Sequence, residues 1–287
     1  MNHSTKNVHL SSHRHQLTCG NILSQSLKRY SVIEEMEKMK KRRENRNKNI
    51  EVKKKFDFEK MISNKKSIIE STPPGKHTSS KNSKIFVCVR KRPIFQKEIE
   101  NGEIDCITAN NPKVCVYDCK MKIDGITKYI DMNEFYFDNV FNENESTESL
   151  YECSIKPAIP LLSKGGVVTC FAYGQTGSGK TYTMKGIQDL SIDSIFETFG
   201  SDGSFSFYVS FYEIYSGRLY DLLNDRNKLM VLEDKNQKIQ IFGLQELEVD
   251  SSEEMKKIVE EANTLRTTHN TVTNETSSRS HAICNVK

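Results

Sequence analysis

The stretch GGVVTCFAYGQTGSGKTYT, residues 165–183, decides the fold. Its first half, Val167, Val168, Thr169, Cys170, Phe171 and Ala172, is apolar and β-branched and reads as a buried strand. It runs directly into Gly174, Gln175, Thr176, Gly177, Ser178, Gly179, Lys180 and Thr181, the spacing of a P-loop. That spacing has a chemical reason. Glycines at 174, 177 and 179 let the backbone turn tightly enough for successive N–H groups to face phosphate oxygens, and the helix that follows adds the positive end of its dipole. Lys180 then reaches the β- and γ-phosphates of a nucleotide, and the Thr181 hydroxyl is placed to bind Mg²⁺.

Upstream of this turn, Lys84-IFVCVRKRP reads as a strand over Ile85–Val89 ending in Arg90, Arg92 and Pro93. Residues 104–137 read as short strands around turns, and a helix from about Thr147 to Lys164 leads into the P-loop strand. Downstream, the helix after Thr181 is expected to break near Lys185-Gly186 and to resume at about Ser191. The aromatic run Phe205–Tyr215 is a core strand, residues 229–249 a further strand pair. Asp250 with Glu253 is a capping box opening a helix whose apolar face is Met255, Ile258, Val259, Ala262 and Leu265. Strands alternating with helices around a P-loop make this an α/β fold, a central and mostly parallel sheet flanked by helices.

The rest of the chain differs in composition. Residues 1–83 carry 19 Lys/Arg against 8 Asp/Glu, a net +11, and the remaining residues carry −7, so the overall +4 hides a basic arm in front of an acidic body. Such an arm suits an acidic polymer or surface. Residues 1–29 are polar and without period and read as a disordered tail. Residues 30–83 read as a basic helical neck followed by a Pro-, Gly- and Ser-rich linker at 71–83, and residues 84–287 as the globular portion. In the neck the apolar residues are sparse. It is therefore either a solvated helix or one that lies on a partner, with Phe56, Phe58, Met61, Ile62, Ile68 and Ile69 as a docking patch. No run approaches a membrane span, the N-terminus lacks an apolar signal region, and the eight cysteines form no CxxC pair, so they read as free thiols in a reducing compartment.

After the last helix comes Asn274-ETSSRSHAICNV, in which Ser277, Ser278, Arg279 and His281 bring hydroxyls, a guanidinium and an imidazole together before an apolar strand. Beside a P-loop such a run reads as a sensor of the γ-phosphate. Together with GQTGSGKTYTM and with VRKRP at 89–93, it resembles the kinesin motor family, and FYEIYSGRLYDLL (211–223) and VLEDKNQKIQIFGLQELEV (231–249) extend the resemblance across Lys84–Lys287. The guanine-reading Asn-Lys-x-Asp of small GTPases is absent.

Within that family the chain looks most like the internal-motor, microtubule-depolymerising class. IEEMEKMKKRRENR followed by FDFEKMI resembles the class's basic neck, and Lys122, Ile123 and Asp124 stand where the class carries Lys-Val-Asp at its tubulin-engaging tip. The resemblance implies Mg²⁺ with ATP as cofactor. Arg90, Arg92, Pro93 and Tyr182 would frame the adenine, residues Gly174–Thr181 would hold the phosphates, and Thr181 and Ser278 would bind the metal. Lys180, Ser277, Ser278 and Arg279 would carry the chemistry. It further implies microtubules or tubulin as partner, engaged by Lys122, Ile123, Asp124, Lys40, Lys41, Arg42 and Arg43. Neither nucleic acid nor membrane is expected, a dimer through the neck or flanking segments is an option, and the location implied is the cytoplasmic microtubule cytoskeleton, the spindle included. The family's second switch, Asp-Leu-Ala-Gly-Ser-Glu, does not occur in these 287 residues, and its sheet places further strands on both sides of the P-loop strand. The alternative reading is therefore a truncated, catalytically silent nucleotide- or microtubule-binding fragment whose sheet is split and whose centre is exposed.

Overall fold

The computed structural model describes residues 36–46, 55–201, 203–272 and 280–287. It divides into two compact units, one taking the chain up to Ile68 together with Tyr117–Asp131, the other Ile69–Val116 together with Met132–Lys287. The expected domain boundary at residue 84 thus falls inside the larger unit.

In the smaller unit, residues 36–46 are helical and exposed throughout, as a stretch with so few apolar residues must be. Residues 55–70 form helix α1, which buries Ile62 but leaves Phe56 exposed. The Asp57 carboxylate pairs with Lys128, whose ammonium also lies 5.7 Å from the centre of the Phe58 ring. These contacts attach α1 to the hairpin of β3 (Lys113–Met121) and β4 (Lys128–Tyr136).

The described residues form three sheets. Strand β1 (Cys88–Arg90) pairs in parallel with β5 (Asn139–Phe141). Strand β2 (Ile107–Asn110) pairs antiparallel with β3. The largest sheet is built on β6 (Phe207–Tyr215), joined antiparallel by β7 (Arg218–Asp221), β10 (Leu247–Val249) and β11 (Ser280–Val286), and extended by β8 (Lys228–Glu233) and β9 (Ile239–Phe242). The fold is mixed α/β, with antiparallel ladders prominent where the sequence suggested mostly parallel ones. Phe207, Val209 and Phe211 of β6 form one core with Leu150 and Tyr151 of α3 (Thr147–Ser154), Ile187, Ile192 and Ile195 of α4 (Lys180–Phe199), and Met255, Val259 and Ala262 of α5 (Ser252–Val272). The aromatic run is thus the centre of the core.

Several local expectations are corrected. The helix expected over Thr147–Lys164 stops at Ser154 and continues as a 3-10 segment, Lys156–Lys164, because Pro157 and Pro160 cannot donate α-helical hydrogen bonds. Helix α4 is not interrupted at Gly186. A Cβ there would meet the Thr147 methyl at 2.8 Å, so this glycine serves the close approach of α3 and α4. The cap of α5 sits one residue later than expected: the Ser251 hydroxyl accepts from Glu254 N–H at 3.2 Å, and the Glu254 carboxylate accepts from Asp250 N–H at 3.1 Å. Leu265 is 40% exposed and does not join the apolar face. Strand β1 is shorter than Ile85–Val89 suggested, and Ile85 and Val87 lie exposed.

The largest departure is the stretch the fold was read from. Residues 166–175 take no regular secondary structure and pair with no strand among the described residues. Val167, Phe171 and Tyr173 are 90%, 83% and 98% exposed, where a buried strand was expected. Burial and pairing of such a stretch need neighbours that the described residues do not supply.

The Pro- and Gly-rich linker is also not loose. Gly75 N–H donates to Asn111 C=O at 2.8 Å, while the Asn111 amide donates back to the carbonyls of Gly75 (3.0 Å) and Lys76 (3.1 Å). Thr78 and Asn139 exchange two bonds, at 2.9 and 2.8 Å, and the Ser80 hydroxyl donates to Ser154 C=O at 2.6 Å. Asn111 and Asn139 are buried, and their side-chain amides act as a strand edge would.

Candidate functional site

The turn between Tyr173 and α4 has the backbone its glycines were expected to supply. Gly174, Gly177 and Gly179 take φ of 155°, 82° and 92°, and a Cβ on Gly174 would lie 2.6 Å from the Ser178 hydroxyl. Ser178 N–H donates to Gln175 C=O at 3.2 Å and closes the turn, with Thr176 exposed at its tip. Gly179 is the N-cap of α4 and provides no side-chain cap, and the first turn of the helix holds no acidic residue. The first N–H groups of α4 therefore lack a side-chain cap at the positive end of the helix dipole, an arrangement that suits an anion. The Lys180 ammonium lies across the turn and donates to the carbonyls of Gly174 (2.8 Å) and Gln175 (2.9 Å). Thr181 follows, exposed on the same turn.

The end of β1 closes on this turn. Arg92 donates from Nε to Gly177 C=O at 2.8 Å and from a terminal nitrogen to Pro93 C=O at 2.9 Å. Both of its terminal nitrogens grip the Glu98 carboxylate, at 2.8 and 2.6 Å, and its guanidinium stacks over Phe95 at 4.4 Å. Glu98 also accepts from Phe95 N–H at 2.8 Å at the start of α2 (Gln96–Glu100). With the Arg92 guanidinium first and this N–H second, its carboxyl is held down from 4.5 to about 2. Arg90 donates to the hydroxyls of Thr147 (2.9 Å) and Thr183 (3.1 Å) and lies 5.3 Å from the centre of the Tyr182 ring. Tyr182 is 73% exposed, so much of its ring stays open beside Arg90.

Arg90, Arg92, Pro93 and Gly174–Tyr182 are thus gathered at one place. Sequence reading missed Glu98, Thr147 and Thr183, which orient the arginines. Only Glu98 left a signal, a glutamate at the third position of a short helix. Ser277, Ser278 and Arg279 lie outside the described residues. The other expected contacts belong to the smaller unit. Lys40, Lys41, Arg42 and Arg43 are helical and exposed. Lys122, Ile123 and Asp124 form the tip of the β3–β4 hairpin, where Ile123 is fully exposed. The Asp124 carboxylate accepts from the Thr127 hydroxyl (2.5 Å) and from the N–H groups of Ile126 and Thr127 (both 2.8 Å). These bonds hold its carboxyl below the ordinary range and stiffen the tip.

Comparison with known proteins points to one family. The kinesin motor domain family matches residues 90–287. Relatives include the diatom spindle kinesin-1 of Cylindrotheca fusiformis, 41% identical over 76% of this chain and 35% of that protein. Kinesin-like protein KIN-13A of Oryza sativa is 42% identical over 70% of this chain and 25% of its own length. KIN-13B of Arabidopsis thaliana is 40% identical over 79% and 34%. A solved structure of a fast kinesin superimposes with a TM-score of 0.62 at 32% identity, covering 73% of this chain and 60% of that one. The chain spans between a quarter and about a third of the length of these curated relatives. A P-loop turn with a two-arginine strand end folded against it, in a sequence matched over most of its length, places the chain in the kinesin motor-domain family.

Proposed function

We propose that this chain carries the nucleotide-binding part of an ATP-dependent microtubule motor of the depolymerising kind, and that it binds Mg·ATP at the turn between Tyr173 and α4. The observation that carries the reading is the position of Arg92, bonded at 2.8 Å to a carbonyl of the phosphate-binding turn itself. It joins a base-binding edge to a phosphate-binding edge in one site. The donor set fits the cofactor: an uncapped helix start and Lys180 for the phosphates, the Thr181 hydroxyl for the metal, and Arg90, Arg92, Pro93 and Tyr182 around the base. Bound Mg²⁺ neutralises charge on the phosphate oxygens, while Ser277, Ser278 and Arg279 are the residues proposed to sense the γ-phosphate. The hydrogen-bonded hairpin tip at Lys122, Ile123 and Asp124, with Ile123 exposed between two charged residues, and the exposed basic residues Lys40–Arg43 are the surfaces proposed to meet tubulin.

Replacing Lys180 by Ala removes the ammonium positioned over the turn and should abolish Mg·ATP binding measured by equilibrium titration. Equal affinity in the wild type and the variant would sink the assignment. A second reading, a nucleotide- or microtubule-binding fragment without turnover, is favoured by the stretch Val167–Tyr173, largely exposed and without a strand partner among the described residues. Binding of Mg·ATP without microtubule-stimulated hydrolysis selects it.

A further inference from the structure

The hydrogen-bonded segment 75–80 reaches further than its own anchors. His77 stacks on Phe141 of β5, with ring centroids 4.4 Å apart, and its Nε2 lies 2.6 Å from Oε1 of Glu145. A carboxylate only accepts, so Nε2 carries the hydrogen. The second Glu145 oxygen accepts from Asn142 N–H at 2.7 Å, so both oxygens of this carboxylate are engaged and the loop before α3 is held. Two acceptors for Arg90 lie on or beside that loop, the Glu145 carbonyl at 3.4 Å and the Thr147 hydroxyl at 2.9 Å. Arg90 in turn lies against Tyr182 and bonds Thr183. An unbroken series of direct contacts therefore runs from His77 through Glu145 and Arg90 to the base side of the candidate site.

We infer that His77 is a positioning residue for nucleotide binding: it clamps the segment that directly follows α1 onto Glu145 and so sets the Arg90–Tyr182 edge. The inference rests on the nucleotide reading above and deepens it. It has a directional consequence. The series ends on the base side, while Lys180 and the glycine turn are held by bonds of their own, so the clamp acts on recognition of the base and leaves that of the phosphates alone. Coupling is reciprocal, so a ligand that fixes Arg90 and Tyr182 must also tighten the segment.

The test uses the whole 287-residue chain with two probes, Mg·ATP and magnesium tripolyphosphate, which has the phosphates without the base. His77→Ala should weaken Mg·ATP about fivefold and leave tripolyphosphate unchanged. His77→Gln, whose amide can donate to Glu145, should restore the wild-type value. A second measurement needs no variant: hydrogen exchange at the Gly75 and Thr78 amides of the wild type should slow with Mg·ATP and not with tripolyphosphate. Equal losses for both probes in His77→Ala, or exchange indifferent to Mg·ATP in a wild type that binds it, overturns the clamp and leaves the nucleotide reading standing. A wild type that binds neither probe removes both.

Discussion

At the scale of single residues the site depends on side chains that hold other side chains. Arg92 reaches the glycine turn through Gly177 C=O, and the two-point grip of Glu98 keeps its guanidinium there. A carboxyl depressed from 4.5 to about 2 contributes stability that is fully present above its ordinary value and is lost as the pH falls toward 2. The pair is therefore intact across the neutral and mildly acidic range. The side-chain carboxyl carbon of Glu98, followed by NMR, should show no titration between pH 7 and pH 3, and Arg92→Ala should bring a midpoint into that window. A Glu98 that titrates in the ordinary carboxylate range in the wild type would refute the grip. Much of this level was legible in advance. The glycine turn and Lys180 stood out by spacing, because so tight a turn tolerates few alternatives, whereas Arg90 and Arg92 stood out through the family resemblance. Glu98, Thr147 and Thr183 did not, since the partner of an arginine is fixed by tertiary contact and leaves little trace in local sequence.

At the scale of elements, Gly186 shows how one residue type supports opposite readings. In sequence it suggested a break, yet in the structure it sits in an unbroken helix where α3 crosses α4. Gly186→Ala gains helix propensity of about 1 kcal/mol but forces a methyl against the Thr147 methyl at 2.8 Å, which costs about 1–3 kcal/mol in a packed core. The variant should lose stability in urea titration. Adding Thr147→Ser deletes the obstructing methyl, keeps the hydroxyl that Arg90 uses, and should return the protein to wild-type stability or slightly above. A single variant already as stable as the wild type would mean the helices part freely. The segment 71–83 gives a second case. Its Pro, Gly and Ser residues suggested a linker, and the segment carries one 3-10 turn, Ser80–Asn82, while its anchors, Asn111 and Asn139, are side chains more than 30 residues away from the groups they bond. Local composition reports regularity; attachment depends on distant partners. In α5, by contrast, Met255, Val259 and Ala262 are buried as their helical spacing required, because periodicity and burial there express the same face.

At the scale of the whole molecule, two surfaces invite association. The first is the stretch before the glycine turn, which exposes Val167, Phe171 and Tyr173 together with backbone groups that no strand meets among the described residues. An apolar segment of this kind is a template for another strand. The chain should aggregate with rising concentration and bind a hydrophobic dye, and Val167→Lys with Phe171→Lys should suppress both. Unchanged aggregation in the double variant would place the cause elsewhere. The second surface is electrostatic. With +11 over residues 1–83, binding to microtubules should fade as salt approaches 0.15 M, where the screening length is about 8 Å, and should weaken when Lys40, Lys41, Arg42 and Arg43 are replaced by Ala. Cosedimentation indifferent to salt and to those substitutions would show that the arm is no electrostatic tether.

The anchors of the segment 71–83 also have a mechanical meaning. Along the chain they come one after another: Asn110 on the carbonyls of Ile69 and Thr72, Asn111 on Gly75 and Lys76, Asn139 on Thr78, and Ser154 on Ser80. A pull applied at the end of α1 meets these bonds in series, each contributing about 1 kcal/mol, and never loads them all together. Fastenings in that order open like a zip, at low force and in small steps. In an optical trap, tension applied through the neck should draw out this segment gradually before the body of the larger unit gives way in a single rip.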